Sequence, residues 1–507
     1  MKKIISLLPM ILLAVILILL PELKVSAAAA DAEANGIRLH LSYTRQNGIA
    51  LVSYRAESEN DIVSIKYLKG SYKKTTNSKW DTAKNIVKKS SFKVKNSGVY
   101  SVMAEDSKGG RVICRIRVNV EFRAVWIAYY DFSDSAGMNE ADFTAYVQEM
   151  FDNSKNAGMN AVIVHVRPYG DAMYESSYFP WSRYASGTQG VNPGYDPLKI
   201  MTEEAHKREL EIHAWINPYR VTASTTDVSY LSKDNQARIW RTNSKKSDDR
   251  NVLAYGKQLY YNPSKTAVRN LIVKGIKEIA ANYDVDGIHF DDYFYPDWLG
   301  DYPKVANYEN VFDGQEYKKY VKRCKNAGVE YMDIVKWRQN NVNMLVQAAY
   351  SAIKEINPDI VFGISPGGFL DYLLAENRYY VDFPTWMSVE GYVDYICPQL
   401  YWSFDPKNVY PFDSTLNRWL EYKKLDSVQV YAGLPLYKCT IGNTTNKNPN
   451  SDPANRVDSK FEDTKILAKM IKYGRKTGMV DGYIFFDYAD MVNKANAANM
   501  KAVKKLW

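Results

Sequence analysis

Residues 160–167 read Asn-Ala-Val-Ile-Val-His-Val-Arg, and residues 210–217 read Leu-Glu-Ile-His-Ala-Trp-Ile-Asn. Both are short apolar runs, and alternate side chains along a strand point to opposite faces. One set, Val162, Val164 and Val166 with Ile212, Ala214 and Ile216, suits a layer of packed helices. The other holds Ile163, His165 and Arg167 with His213, Trp215 and Asn217, so rings and ionisable groups share one phase. The phase returns in 286–291, where Ile288 and Phe290 alternate with His289 and Asp291. It is also expected in 481–487, with Ile484 and Phe486 opposite Tyr483, Phe485 and Asp487. Ser365, and Gln399 with Tyr401, end two further runs.

Strands are predicted at 123–129, 160–167, 210–217, 286–291, 360–365, 393–401, 428–433 and 481–487. Amphipathic stretches lie between them, including Ala141–Ala157, Asp196–Lys207, Lys265–Tyr283, Asp333–Ile356 and Lys460–Lys476. Eight such units over 120–507 call for an α/β fold, a (β/α)8 TIM barrel. The open doubly wound sheet is the alternative, and neither a GxGxxG nor a P-loop supports it. In a barrel the polar phase faces the axis, and chemistry sits at the C-terminal strand ends.

Ahead of the barrel, 31–119 read as a small all-β sandwich with strands such as Ile37–Tyr43, Ala50–Arg55, Val63–Leu68 and Arg111–Val118. The stretch 98–106 followed by Gly109-Gly110 resembles the closing hairpin of bacterial immunoglobulin-like domains, which implies a spacer or, as the second choice, a glycan-binding module, and no catalytic constellation is visible in it. Residues 1–30 have the plan of a secretory signal: Lys2 and Lys3, the apolar run Ile4–Leu20, Pro21, then Val25-Ser26-Ala27. Cleavage is expected between Ala27 and Ala30, giving a secreted or wall-associated protein. Membrane attachment follows only if the segment is retained. The cysteines, at 114, 324, 397 and 439, form no CxxC pair and are expected as free thiols.

Apolar residues at 46% and charged residues at 24% fit a globular chain. The 40 Tyr and 11 Trp supply flat rings with polar tips, which suit the faces of sugars. The net charge of +9 could suit an anionic polymer such as an acidic cell wall, but with positive residues scattered and no stripe it reads first as an aid to solubility. No motif of a nucleic-acid reader is present, so no nucleic-acid partner is expected.

The segment Asp286-Gly-Ile-His-Phe-Asp-Asp-Tyr-Phe-Tyr-Pro296 is distinctive. With it go Arg123-Ala-Val-Trp126, His165-Val-Arg167-Pro168 with Asp171, and His213-Ala-Trp215-Ile-Asn217-Pro-Tyr-Arg220. Cys397-Pro-Gln399-Leu-Tyr401-Trp402 and Asp481-Gly-Tyr-Ile-Phe-Phe-Asp487-Tyr complete the set. In this order over about 120–500 the motifs resemble the secreted bacterial glycosyl-hydrolase-like family 10. The resemblance implies hydrolysis of glycosidic bonds in a polysaccharide, with peptidoglycan-type strands the preferred substrate. It covers neither the leader nor the sandwich.

Glycoside hydrolysis needs two carboxyl groups, about 5–5.5 Å apart for retention or about 6.5–9.5 Å for inversion. Asp291 is the first, at the position where related barrels carry an aspartate nucleophile. Asp292 is the favoured proton donor, followed by Asp487, with Asp171 and Glu175 as alternatives. Ile364-Ser365-Pro366 lacks the Glu that amylase-like barrels have there. Whichever carboxyl is the acid is expected to have a raised pKa. His165, Arg167, Asp171, His213, Asn217, Arg220, His289, Gln399 and Tyr401 are expected to contact sugar hydroxyls or orient the carboxyls. Trp126, Trp215 and Trp402 are expected as stacking platforms. Insertions 218–262 and 293–332 are expected to wall the cleft. No cofactor or metal is expected. Two alternatives stand: a glycan-binding barrel without a working acid, and a metal-dependent deacetylase if His165, His213, His289 and Asp291 converge on an ion.

Overall fold

A computed structural model describes residues 24–46, 49–95, 97–118, 120–296, 312–374, 379–441 and 458–507. The apolar run of the expected leader lies outside the described residues. No helix among them is long and apolar enough to cross a membrane. The chain forms two compact units, one ending at Phe122 and one spanning Arg123–Leu506.

The first unit contains β1 (Lys24–Ala34), β2 (Ile37–Gln46), β3 (Ile49–Ser58), β4 (Ile62–Lys69), β5 (Ser91–Val94), β6 (Gly98–Asp106) and β7 (Arg111–Val118). They make two antiparallel sheets, β1-β2-β3-β5 and β4-β6-β7. Period-two burial carries the packing: Ile37, Leu39, Leu41 and Tyr43 from β2 join Val112, Cys114, Ile116 and Val118 from β7 in one core. The alanines at the expected cleavage point lie within β1, which pairs with β2.

In the second unit β8 (Phe122–Ile127), β9 (Ala161–Arg167) and β10 (Glu211–Ile216) precede a hairpin, β11 (Val252–Tyr255) and β12 (Gln258–Tyr261). β13 (Gly287–Phe290), β14 (Val361–Ile364), β15 (Tyr395–Ile396), β16 (Gln429–Pro435) and β17 (Gly482–Phe486) follow. Without the hairpin, these strands close into an eight-stranded parallel barrel in chain order, β17 returning to β8. Each expected barrel strand is present. The sixth is shorter than expected: beyond Ile396 only isolated bridges of Gln399 to Gly367 and Gly433 remain, because Pro398 has no N–H to continue the ladder.

Helices cover the barrel as the periodicity requires. In α1 (Glu140–Asn156) the Asn139 side chain caps the first turn, and Phe143, Val147, Met150 and Phe151 form the buried stripe. α2 (Pro197–Lys207) starts on an Asp196 cap with proline in its first turn. α3 (Thr266–Asn282) and α4 (Ile334–Ile356) complete the expected series up to α5 (Ile466–Thr477), which ends at left-handed Gly478.

Rings fill the barrel interior in spaces left by glycine. A β-carbon on Gly287 would lie 2.6 Å from the His213 ring, and one on Gly363 would overlap the Tyr395 ring. The eighth strand departs from expectation. Tyr483 donates its hydroxyl to the Ile471 carbonyl on α5, while Phe486 lines the cleft. Its aromatic set therefore faces the helices, the reverse of the expected phase.

Candidate active site

The C-terminal strand ends surround a cleft of about 300 Å³. Trp126, His165, Trp215, His289 and Asp291 reach it from the first four strands or their ends. Arg220, Asp292, Tyr293, Ser365, Gln399, Tyr401 and Phe486 complete it together with Ala128, Tyr129 and Tyr130. Here the inward phase read from the sequence is present in β9, β10 and β13.

Asp291 follows β13 and is buried. Its Oδ2 accepts hydrogen bonds from Trp215 Nε1 at 3.0 Å and Asn217 Nδ2 at 3.2 Å, and Oδ1 accepts from the Tyr293 amide at 3.3 Å. Burial pushes the carboxyl up to about 6, outweighing the Trp215 hydrogen bond and the Arg220 charge, which favour ionisation. Asn217 is placed to do this by its Oδ1, which accepts from the Arg220 amide at 3.0 Å. Asp292 stands beside Asp291 on the cleft wall and is half-buried.

His165 stacks on Trp215 with ring centres 3.8 Å apart and planes 10° apart. Neither of its buried ring nitrogens has a partner within the protein. Burial, then the charge of Arg220, holds its pKa well below the usual histidine value, so it presents one donor and one acceptor to the cleft. The Arg220 guanidinium lies between Tyr169 and Tyr293, 5.1 and 4.4 Å from their ring centres.

Beneath this layer runs a directed chain of hydrogen bonds. Trp126 Nε1 donates to His289 Nε2 at 3.2 Å. An indole N–H can only donate, so His289 carries its proton on Nδ1 and donates to the Tyr395 hydroxyl at 2.9 Å. Tyr395 in turn donates to His213 Nδ1 at 2.9 Å, which leaves the His213 proton on Nε2. Nε2 faces Glu211 at 4.0 Å. Burial keeps His289 neutral, its pKa well below the ordinary value.

Several expected contacts fall outside the cleft. His213 is in the interior, under Tyr395. Arg167 braces the chain after β10, donating from Nη2 to the Asn217 and Pro218 carbonyls at 3.1 and 3.2 Å and stacking on Phe179. Asp171 binds Gln189 at 2.9 Å in a fully enclosed site that pushes it up to about 6. Trp402 is buried against Tyr410, because the chain has left the barrel ladder by that point. Asp487 caps the turn of helix at Tyr488–Val492 and accepts the Tyr130 hydroxyl; it touches the cleft only through that tyrosine. Glu175 is exposed, its carbonyl bound by Tyr283.

The structure adds residues that alternation does not reveal. Tyr129, Tyr130 and Tyr293 follow strand ends, where the period of two stops. Asp131, in the same turn, accepts the Ala128 amide at 2.7 Å and is pushed up to about 7 by burial and by Asp487. The signal available was the acidic Tyr-Tyr-Asp step after the first strand. The histidines do not converge: His289 and His213 are engaged along the chain, and among the described residues no three His, Cys, Asp or Glu side chains are grouped to hold an ion.

The chain is 37% identical over 393 residues to glycosyl hydrolase YngK of Bacillus subtilis strain 168, covering 73% of this chain and 69% of that one. It is 31% identical over 346 residues to glycosyl hydrolase DigH of Escherichia coli K12, covering 62% of this chain and 73% of that one. The solved PgaB (BpsB) glycoside hydrolase domain from Bordetella bronchiseptica aligns over 76% of this chain and 98% of its own, at 12% identity and a TM-score of 0.44. Residues 121–451 match the family described as Glycosyl hydrolase-like 10, and the chain belongs to that family.

Proposed function

We propose that the protein hydrolyses glycosidic bonds of a polysaccharide, a peptidoglycan-type wall glycan, outside the cytoplasm. The observation that carries this reading is the buried carboxyl of Asp291, held by three N–H donors in an aromatic-walled cleft with Asp292 beside it. Membership of a glycosyl hydrolase-like family supports it.

The two carboxyls divide the chemistry by environment. A pKa raised to about 6 suits Asp291 to protonate the leaving oxygen. Trp215 and Asn217 hold Oδ2, while Oδ1, which accepts the longer bond from the Tyr293 amide, is the oxygen presented to substrate. Asp292, less buried, supplies the carboxylate that attacks the anomeric carbon or activates water. This reverses the division expected from the motif, and burial is the reason. Trp126 and Trp215 line the cleft as part of its aromatic wall. His165, Arg220 and Gln399 offer directed donors and acceptors to hydroxyls.

The test is incubation of the pure protein with peptide-free peptidoglycan strands and a panel of polysaccharides, with products identified by mass spectrometry. New reducing ends are expected from the native protein and at least about a hundredfold fewer from Asp291→Asn. Azide should restore turnover in the variant lacking the attacking carboxylate, Asp292→Ala, and give a glycosyl azide. A native protein that binds glycan as well as Asp291→Asn and releases nothing would establish the second reading, a glycan-binding barrel. Ser365 favours that reading, since it occupies a fifth-strand position in the cleft where a carboxyl would be expected of an amylase-like enzyme.

A further inference from the structure

Residues 62–95 hold ten lysines against a single acid, Asp81. Their net +9 equals that of the whole chain, so all other residues together balance to zero. In space the stretch is one edge of the first unit. β4 ends the sheet β4-β6-β7, β5 ends the sheet β1-β2-β3-β5, and residues 70–90 connect them. The positive charge that looks scattered along the sequence is therefore gathered on one side of one unit.

The connecting segment is fixed to the sandwich. Trp80 is buried and donates from Nε1 to the Lys74 carbonyl at 3.2 Å. Asn85 Oδ1 accepts from the Ile65 amide at 3.1 Å and its Nδ2 donates to the Val63 carbonyl at 3.2 Å. The Ile86 amide donates to the Ile65 carbonyl at 2.7 Å, and Tyr54 donates its hydroxyl to the carbonyls of Ile86 and Lys89. All the lysines except the half-buried Lys66 are exposed. Among the described residues none of the ten is in an ion pair; the unit's pairs involve Arg38, His40, Arg55 and Arg111.

Lysines on edge strands block unwanted strand pairing, and a few suffice. Six of the ten stand in the connecting segment, where no ladder edge needs protection. We infer that this edge is a docking surface for a linear anionic wall polymer, a sugar or polyol chain with repeated carboxylate or phosphodiester groups. Lysine suits such a partner because a mobile point charge meets diffuse anions without fixed geometry, whereas a single oriented group would favour the arginine fork. A nucleic acid would call for exposed rings to stack bases; here Trp80 and Phe92 are buried, Tyr67 is packed on Phe92 at 3.8 Å, and the half-buried Tyr72 lies against Trp80 and under Lys79. A lipid surface would call for an apolar face, and Val63 is the exposed large apolar side chain of the stretch. The inference is independent of catalysis in the barrel.

Binding of the full chain to alginate and to polyglycerol phosphate is to be measured by calorimetry between about 50 and 300 mM NaCl, with neutral dextran as control. Binding to at least one polyanion that weakens steeply with salt is expected, and whichever polymer binds identifies the recognised anion. The variant Lys73→Ser/Lys74→Ser/Lys88→Ser/Lys89→Ser should bind about tenfold or more weakly at low salt, with a shallower salt slope and an unchanged melting temperature. A charge-matched variant on the barrel, Lys318→Ser/Lys319→Ser/Lys322→Ser/Lys325→Ser, should bind as the native protein does. Equal loss in both variants, loss in neither, equal binding of dextran, or tighter binding of DNA or anionic phospholipid vesicles than of either polyanion would overturn the assignment. Because dextran and the polyanions probe binding without bond cleavage, a failed hydrolase reading leaves this test intact.

Discussion

Three hydrogen-bond donors and a guanidinium favour the ionised form of Asp291, yet its burial dominates and raises the pKa to about 6. A carboxyl raised in the folded state costs nothing below its unfolded pKa, and the cost grows as pH rises to the folded value. Above pH 6 that cost is of order 3 kcal/mol. Asp291→Asn should therefore melt above the native protein at pH 7 and show no gain at pH 3.5, while its turnover falls about a hundredfold or more. A lower melting temperature at pH 7 would mean that the hydrogen bonds outweigh the burial cost. If Asp291 is the proton donor, kcat/KM falls as pH rises through about 6. Arg220 pulls this pKa down, so Arg220→Met should carry the same limb to higher pH, as a full pH–rate profile would reveal.

At the scale of strands, what was legible was the side chain's face, and only while the strand lasted. His165, Trp215 and His289 are inward because sterics of the pleat dictate it. Alternation cannot say how deep along the axis an inward residue lies, which is why His213 belongs to the interior and not to the cleft. It also fails for β17, where tyrosine joins an apolar body to a polar tip and Tyr483 satisfies that tip on a helix carbonyl. Tyr130, Tyr293 and Asp131 were not legible because they lie in turns. The glycines of β13 and β14 had no visible role in the sequence and acquire one from the rings beside them. Gly363→Ala should destabilise the barrel by about 1–3 kcal/mol or more, since a strand backbone and the Tyr395 ring must both give way. Tyr395→Phe keeps the ring but removes both hydrogen bonds of the hydroxyl, leaving buried groups on His289 and His213 unpaired at a cost of about 1–3 kcal/mol. Denaturant titration of the double variants separates packing from polarity: the losses of Gly363→Ala and Tyr395→Leu should sum to more than the double variant shows, because the clash needs the ring, whereas those of Gly363→Ala and Tyr395→Phe should add in full.

The described residues form two compact units, and the second holds the buried His165 and His289 and the ion-paired His206. Calorimetry should therefore resolve two unfolding transitions with different sensitivities. Leu39→Ala empties a fully buried site of the sandwich and should lower one transition by about 2–5 kcal/mol while leaving the other in place. The other should respond to alkali through His206. This residue ends α2 and bridges Asp284 at 3.4 Å and Asp286 at 3.0 Å, just ahead of the strand that bears Asp291. Hydrogen bonds donated to both carboxylates push it up to about 10. Its contribution is complete below pH 6.5, where the unfolded histidine is protonated too, and is lost as pH rises toward the folded value. Between pH 7 and 8.5 the barrel transition should move down, the sandwich transition should stay, and His206→Gln should flatten the slope. Because the imidazole is partly solvated the shift is modest, so the comparison of slopes decides the matter. If both transitions move together in the native protein and in His206→Gln, the two units do not unfold separately and the histidine bridge is not the source of the pH dependence.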